Sequence, residues 1–132
     1  MTKDVIQNRP LADFYAHHME KYGIDFPSEE DQIRAGGGST DFGNISYEMP
    51  TIQPFYGIHT SAANHTIEFT AAAKTMAAHK DTITASKCMA ATGVEVLLND
   101  DYYNSVQRNF KDNQAHFTAS VPEAGKSACN YI

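Results

Sequence analysis

TIQPFYGIH, residues 51–59, is the stretch that decides the fold class. It is short, rich in β-branched and aromatic residues, and bounded by Pro50 and by small residues after Thr60. That pattern predicts a strand over residues 52–58. Pro54 has no N–H to donate, so the strand belongs at a sheet edge or carries a bulge. A single strand cannot satisfy its own backbone, so its ladder partners must lie elsewhere, in another chain or in sequence absent here.

On either side of it the pattern is helical. In residues 65–101, Met76, Ile83, Ala90 and Leu97 recur every seven, with Ser86 and Val94 between them. This predicts a long helix with a small-residue face packed closely on a neighbour. A break between Phe69 and Thr75 sets a short helix apart from the long one. A last amphipathic helix is expected over residues 102–117, with Tyr103, Val106, Phe110 and Phe117 inward. Residues 118–132 have no periodicity and read as a disordered tail, which leaves residues 1–117 as the folded unit.

Upstream, NRPLADFYAHHMEKYG (residues 8–23) reads as a helix with both ends marked. Asn8 caps it, Pro10 suits the first turn and Gly23 suits C′. Leu11, Phe14, Tyr15, His18, Met19 and Tyr22 form one stripe at spacings of three and four. Residues 24–26 offer a second, short strand, and residues 28–34 a helical turn. GGGSTDFGN follows at residues 36–44. Ser39 or Thr40 then caps a short helix from Phe42 to Tyr47, closed by Pro50. The sum is about four helices against one or two strands, and no internal repeat.

The chain has 132 residues, enough for one domain or part of a larger one, and is 42% apolar and 20% charged. A net charge of −6 argues against a nucleic-acid partner. Cys88 and Cys129 belong to no CxxC pair and read as free thiols of a reducing compartment. No run of 18 apolar residues suggests a membrane span. MTKDVIQNRP has no apolar core of a secretory signal. The expected location is the cytoplasm.

Six histidines are candidates for chemistry. His17 and His18 are helix neighbours pointing apart, and His79 and His116 have no carboxylate or cysteine at ligand spacing. His65 differs, lying in a loop beyond the strand and just before a helix, where ligands gather in α/β proteins. It is either a helix N-terminal residue or a metal ligand. His59 is its rival, with a structural role favoured. Asp41 either caps a helix or orients a substrate or a metal-bound group. The glycines before it permit both a turn and close approach of backbone to a ligand. GGGSTDFG lacks the lysine and spacing of a phosphate-binding P-loop.

GGGSTDFGNISYEMP, then the strand, then NHTIEFTAAA, in this order, resembles the peptidase M-twenty family of amidohydrolases. That family includes aminoacylases, di-zinc dipeptidases and carboxypeptidases, and the likeness is to its aminoacylase-one-like branch. It rests on residues 38–44, 64–69, 71–73 and 96–100. The resemblance implies an α/β fold, this chain being the C-terminal half of a di-zinc exopeptidase-type catalytic domain, mostly helical with one or two strands. It makes His65 the last ligand of a two-zinc site, and Gly38, Ser39, Thr40, Asp41 and Phe42 the lining of a substrate pocket. The implied substrates are dipeptides or N-acyl amino acids, and family members are expected to be homo-oligomers. The family's other ligands, its bridging acid, its general-base glutamate and its lid domain have no counterpart here. The chain alone is therefore expected to be inactive and to bind zinc weakly. The alternative is an inactive fragment or small α-rich interaction module.

Overall fold

Helix α1, Arg9–Glu20, begins where Asn8 turns its side chain back on the chain, with Oδ1 accepting from Leu11 N at 3.4 Å. It ends on the glycine expected of it. Gly23 is in the left-handed region at φ 74°, Gly23 N–H bonds Glu20 O at 2.8 Å, and Ile24 N–H bonds Met19 O at 3.2 Å. This pair of bonds is a Schellman closure, and Ile24 packs against the cluster that holds Met19. The inward stripe of α1 is Leu11, Tyr15 and Met19.

The computed structural model describes residues 3–28, 30–32 and 40–120, with side chains through residue 115. Among the described residues four more helices have both ends placed: α2, Phe42–Ser46; α3, Ile67–Ala73; α4, Met76–Leu98; and α5, Asp100–Ser120; residues 30–32 are helical as well. Thr66 caps α3, accepting from Phe69 N at 3.1 Å, and Thr75 caps α4, accepting from Ala78 N at 3.2 Å. Asn99 separates α4 from α5. Its Oδ1 accepts from Tyr102 N at 3.0 Å, and Asp100 and Asp101 place negative charge on the first turn of α5.

Helix α1 packs on α4 and α5, α4 packs on α5, and α3 leans on α4. The centre of the core is Tyr15, Met19, Ala85 and Cys88, with Ile24, Phe26 and Ile52 packed around it. Asn8 joins three parts of the chain. Its Nδ2 donates to Val106 O of α5 at 3.0 Å, and its own N–H donates to Thr51 O at 2.9 Å.

Three expectations are corrected. The fold is mostly helical, as expected, but no strand forms among the described residues, neither at 52–58 nor at 24–26. Residues 51–58 run without helix, turn or bend, but no neighbouring segment among the described residues supplies a ladder. The seven-residue series of α4 points outward: Met76 is 70% exposed and Leu97 81%, with Ile83 and Val94 also exposed. A parallel series, Ala78, Ala85 and Thr92, joined by Cys88, fills the opposite face and is buried. On α5, Tyr103 is exposed, while Val106 is buried and Phe110 half-buried. Tyr102 turns inward in its place and donates its hydroxyl to Pro10 O at 2.9 Å.

Candidate functional site

Two motifs supply the candidate residues. Thr40, Asp41 and Phe42 lead into α2, whereas Gly38 and Ser39 lie outside the described residues. Thr40 Oγ1 accepts from Phe42 N at 3.2 Å and so turns the chain into the helix. Asp41 is the N-cap by position, yet its side chain makes no capping hydrogen bond and is exposed. Its carboxylate therefore has no helix-capping task here. Phe42 is half-buried.

The glycine of this motif that the structure describes has a definite use. A Cβ on Gly43 would collide with the backbone of Lys3, overlapping its carbonyl oxygen and standing 2.7 Å from its carbonyl carbon, with Asp4 O at 2.9 Å. Residues 3–6 are thus laid directly on α2. Lys3 N bonds Asn44 Oδ1 at 3.2 Å, Ile6 N bonds buried Ser46 Oγ at 3.0 Å, and Tyr47 donates its hydroxyl to Asp4 Oδ1 at 2.8 Å. The glycines before Asp41, for which close approach to a ligand was expected, lie outside the described residues; at Gly43 the close approach is made by the chain itself.

His65 sits in the turn ahead of α3. Its φ is 66°, a left-handed conformation that side chains seldom adopt, and its ring is exposed. Thr66, the next residue, fixes this turn by donating to Ala63 O at 2.8 Å while capping α3. Asn64, on the other side, borders a cavity of about 230 Å³ whose wall includes Ile58, Phe69 and Ala78. That wall would suit an apolar side chain. The two motifs are not brought together: α3 packs on α4, and α2 makes no helix–helix contact among the described residues.

His59 is the second left-handed histidine, at φ 55°. Its Nε2 lies 3.3 Å from Asp81 Oδ2, within ion-pair range, although that buried oxygen has no aligned hydrogen-bond donor. Nothing in the spacing of the two residues signalled this pair. His18 stacks on Phe14, with ring centroids 4.4 Å apart, and His17 lies 3.7 Å from Glu20; both are ordinary helix-surface roles. Cys88 is a free thiol, and burial pushes its pKa up, while the nearby charge of Lys21 pulls the other way. An undissociated, buried thiol is not a nucleophile.

Zinc requires three or four ligands converging on one point. Among the described residues no group of three His, Cys, Asp or Glu side chains does so. His65 by itself does not make a zinc site, and the residues described here do not fit a two-metal centre.

No family model matches the sequence. The chain is 37% identical over 108 residues to the Xaa-Arg dipeptidase of Mus musculus, and 34% identical over 108 residues to that of Homo sapiens. Both alignments cover 82% of this chain. The chain belongs to the peptidase M-twenty family. It spans 25% of the length of these M-twenty relatives.

Proposed function

We propose that this M-twenty chain serves a dipeptidase-type amidohydrolase by presenting His65 to a zinc centre. In this reading Thr40, Asp41 and Phe42, with Gly38 and Ser39, face the substrate. The bond hydrolysed is the amide of a dipeptide or N-acyl amino acid, and the names of the two dipeptidase relatives support that class. The remaining ligands and the general base come from outside the described residues. A reducing cytoplasm suits the free thiol of Cys88.

The observation that carries the reading is the state of His65. A left-handed conformation costs a residue other than glycine about 1–2 kcal/mol. No hydrogen bond, ion pair or ring contact among the described residues uses the imidazole in return. Strain of this kind collects at functional positions.

The test is a chimera in which this chain's matched residues replace the corresponding 108 of the mouse relative. The chimera should hydrolyse an Xaa-Arg dipeptide. His65→Ala in that chimera should abolish turnover and lower zinc content while circular dichroism stays unchanged. Full turnover after the substitution would remove His65 from the metal centre.

A further inference from the structure

Helix α2 lies under a strap of extended chain. Among the described residues it makes no helix–helix contact. Residues 3–6 cross it instead, so closely that Gly43 has no room for a Cβ against the backbone of Lys3. Two side chains of α2 hold them there. Asn44 Oδ1 accepts from Lys3 N at 3.2 Å, and Ser46 Oγ accepts from Ile6 N at 3.0 Å. Ser46 is buried and donates its own proton to Gly43 O at 2.6 Å, so its hydroxyl works in both directions. The strap is itself anchored. Gln7 turns its carboxamide to Gln53, accepting from Gln53 N at 2.9 Å and donating to Gln53 O at 3.4 Å, in the place of one ladder rung. Buried Asn8 follows, bonded to Thr51 O and Val106 O.

The orientation of α2 dictates that of residues 40–42. Asn44 N–H donates to Asp41 O at 3.0 Å, and Phe42 N–H donates to Thr40 Oγ1 at 3.2 Å. Asp41 already has a helical backbone, with φ −77° and ψ −10°. These residues therefore turn with the helix as one piece, and the Asp41 carboxylate, which makes no capping bond, turns with them.

We propose that Asn44 and Ser46 are positioning residues: by clamping α2 to residues 3–6 they fix the direction in which Thr40, Asp41 and Phe42 meet the substrate. This rests on the reading of that loop as substrate-facing. Asn44 Oδ1 and the Ser46 hydroxyl are occupied by the chain itself, so their part is to hold the helix and not to bind. A binding group carried off its direction costs affinity, and where it acts on ground and transition state alike the loss falls on KM.

The test uses a chimera with the mouse relative that carries residues 1–117 of this chain, so that the strap comes with α2, and an Xaa-Arg dipeptide as substrate. Asn44 is exposed, so Asn44→Ala leaves the core intact. It should raise KM about threefold, and Asn44→Ala with Ser46→Ala about tenfold, with kcat within about twofold of the parent. Asn44→Asp keeps the acceptor and should restore KM. Tyr102→Phe loses a bond far from α2 and should leave KM unmoved, which separates positioning from general loss of stability. In the chain by itself the two alanine variants should speed hydrogen exchange at the Phe42 amide by about the same factors. Unchanged Phe42 exchange, a fall in kcat at constant KM, or an equal rise of KM in Tyr102→Phe overturns the proposal. Asp41→Ala separates it from the reading beneath it. If Asp41→Ala raises KM and the double variant does not, the positioning role alone falls; if neither moves KM, the substrate-facing loop falls and the positioning role with it.

Discussion

Replacing Gly43 with alanine tests how tightly residues 3–6 lie on α2. The new methyl would overlap the backbone of Lys3, and no side-chain rotation can relieve a clash with backbone. The cheapest response is for residues 3–6 to lift away. That breaks the bonds Lys3–Asn44, Ile6–Ser46 and Asp4–Tyr47. At about 0.5–1 kcal/mol each, the loss is about 1.5–3 kcal/mol. Alanine in place of glycine in a helix returns about 0.5–1 kcal/mol. The net expectation is a destabilisation of about 1–2 kcal/mol, in the range of other overpacked sites. Urea unfolding gives the total, and hydrogen exchange at the Ile6 amide shows whether the segment has lifted. A variant as stable as the parent, with the Ile6 amide still protected, would refute the reasoning.

Asn8→Ala removes both the cap of α1 and the buried bridge to Val106 O, and should cost about 2 kcal/mol in urea unfolding, about 1 for each. Asn8→Ser keeps a cap and loses the bridge, so it should cost about half as much; equal losses would show that the cap contributes nothing. The phenols of Tyr47 and Tyr102 are both pushed up to about 12, first by burial. At Tyr47 the hydrogen bond to Asp4 and its charge add to this, and at Tyr102 the charges of Glu95 and Asp13 do. The folded values stand above the ordinary 10.0, so the stability they contribute is intact below pH 10.0 and is lost as pH rises through about 12. The urea midpoint should therefore fall across that window, and less steeply in Tyr102→Phe, which has no proton to lose.

Helix α1 was legible because its ends are written in local chemistry. Asn8, Pro10 and Gly23 act within a few residues of themselves, whatever packs nearby. The face of α4 was not legible, since two seven-residue series run along it and periodicity does not say which one meets a neighbour. Size misled in the same way: Tyr102 and Tyr103 are adjacent and alike, and it is Tyr102 that meets Pro10 O and the Phe14 ring, partners far away in sequence. The 52–58 stretch has the composition of a strand, but a strand is a relation between segments, and here the first rung is filled by the side chain of Gln7. At the site, the motif placed His65 correctly before a helix, whereas its left-handed backbone and the His59–Asp81 approach depend on the turn geometry alone.

The two faces of α4 invert the usual rule of thumb for mutational tolerance. Trimming Leu97 or Met76 to alanine should pass almost unnoticed in the isolated chain, while enlarging Ala85 should wreck it, because its small side chain lets Tyr15 and Met19 of α1 come close. A saturation library scored for folding would thus trace this helix inside out, with its greasiest positions the most permissive and its plainest alanines the least.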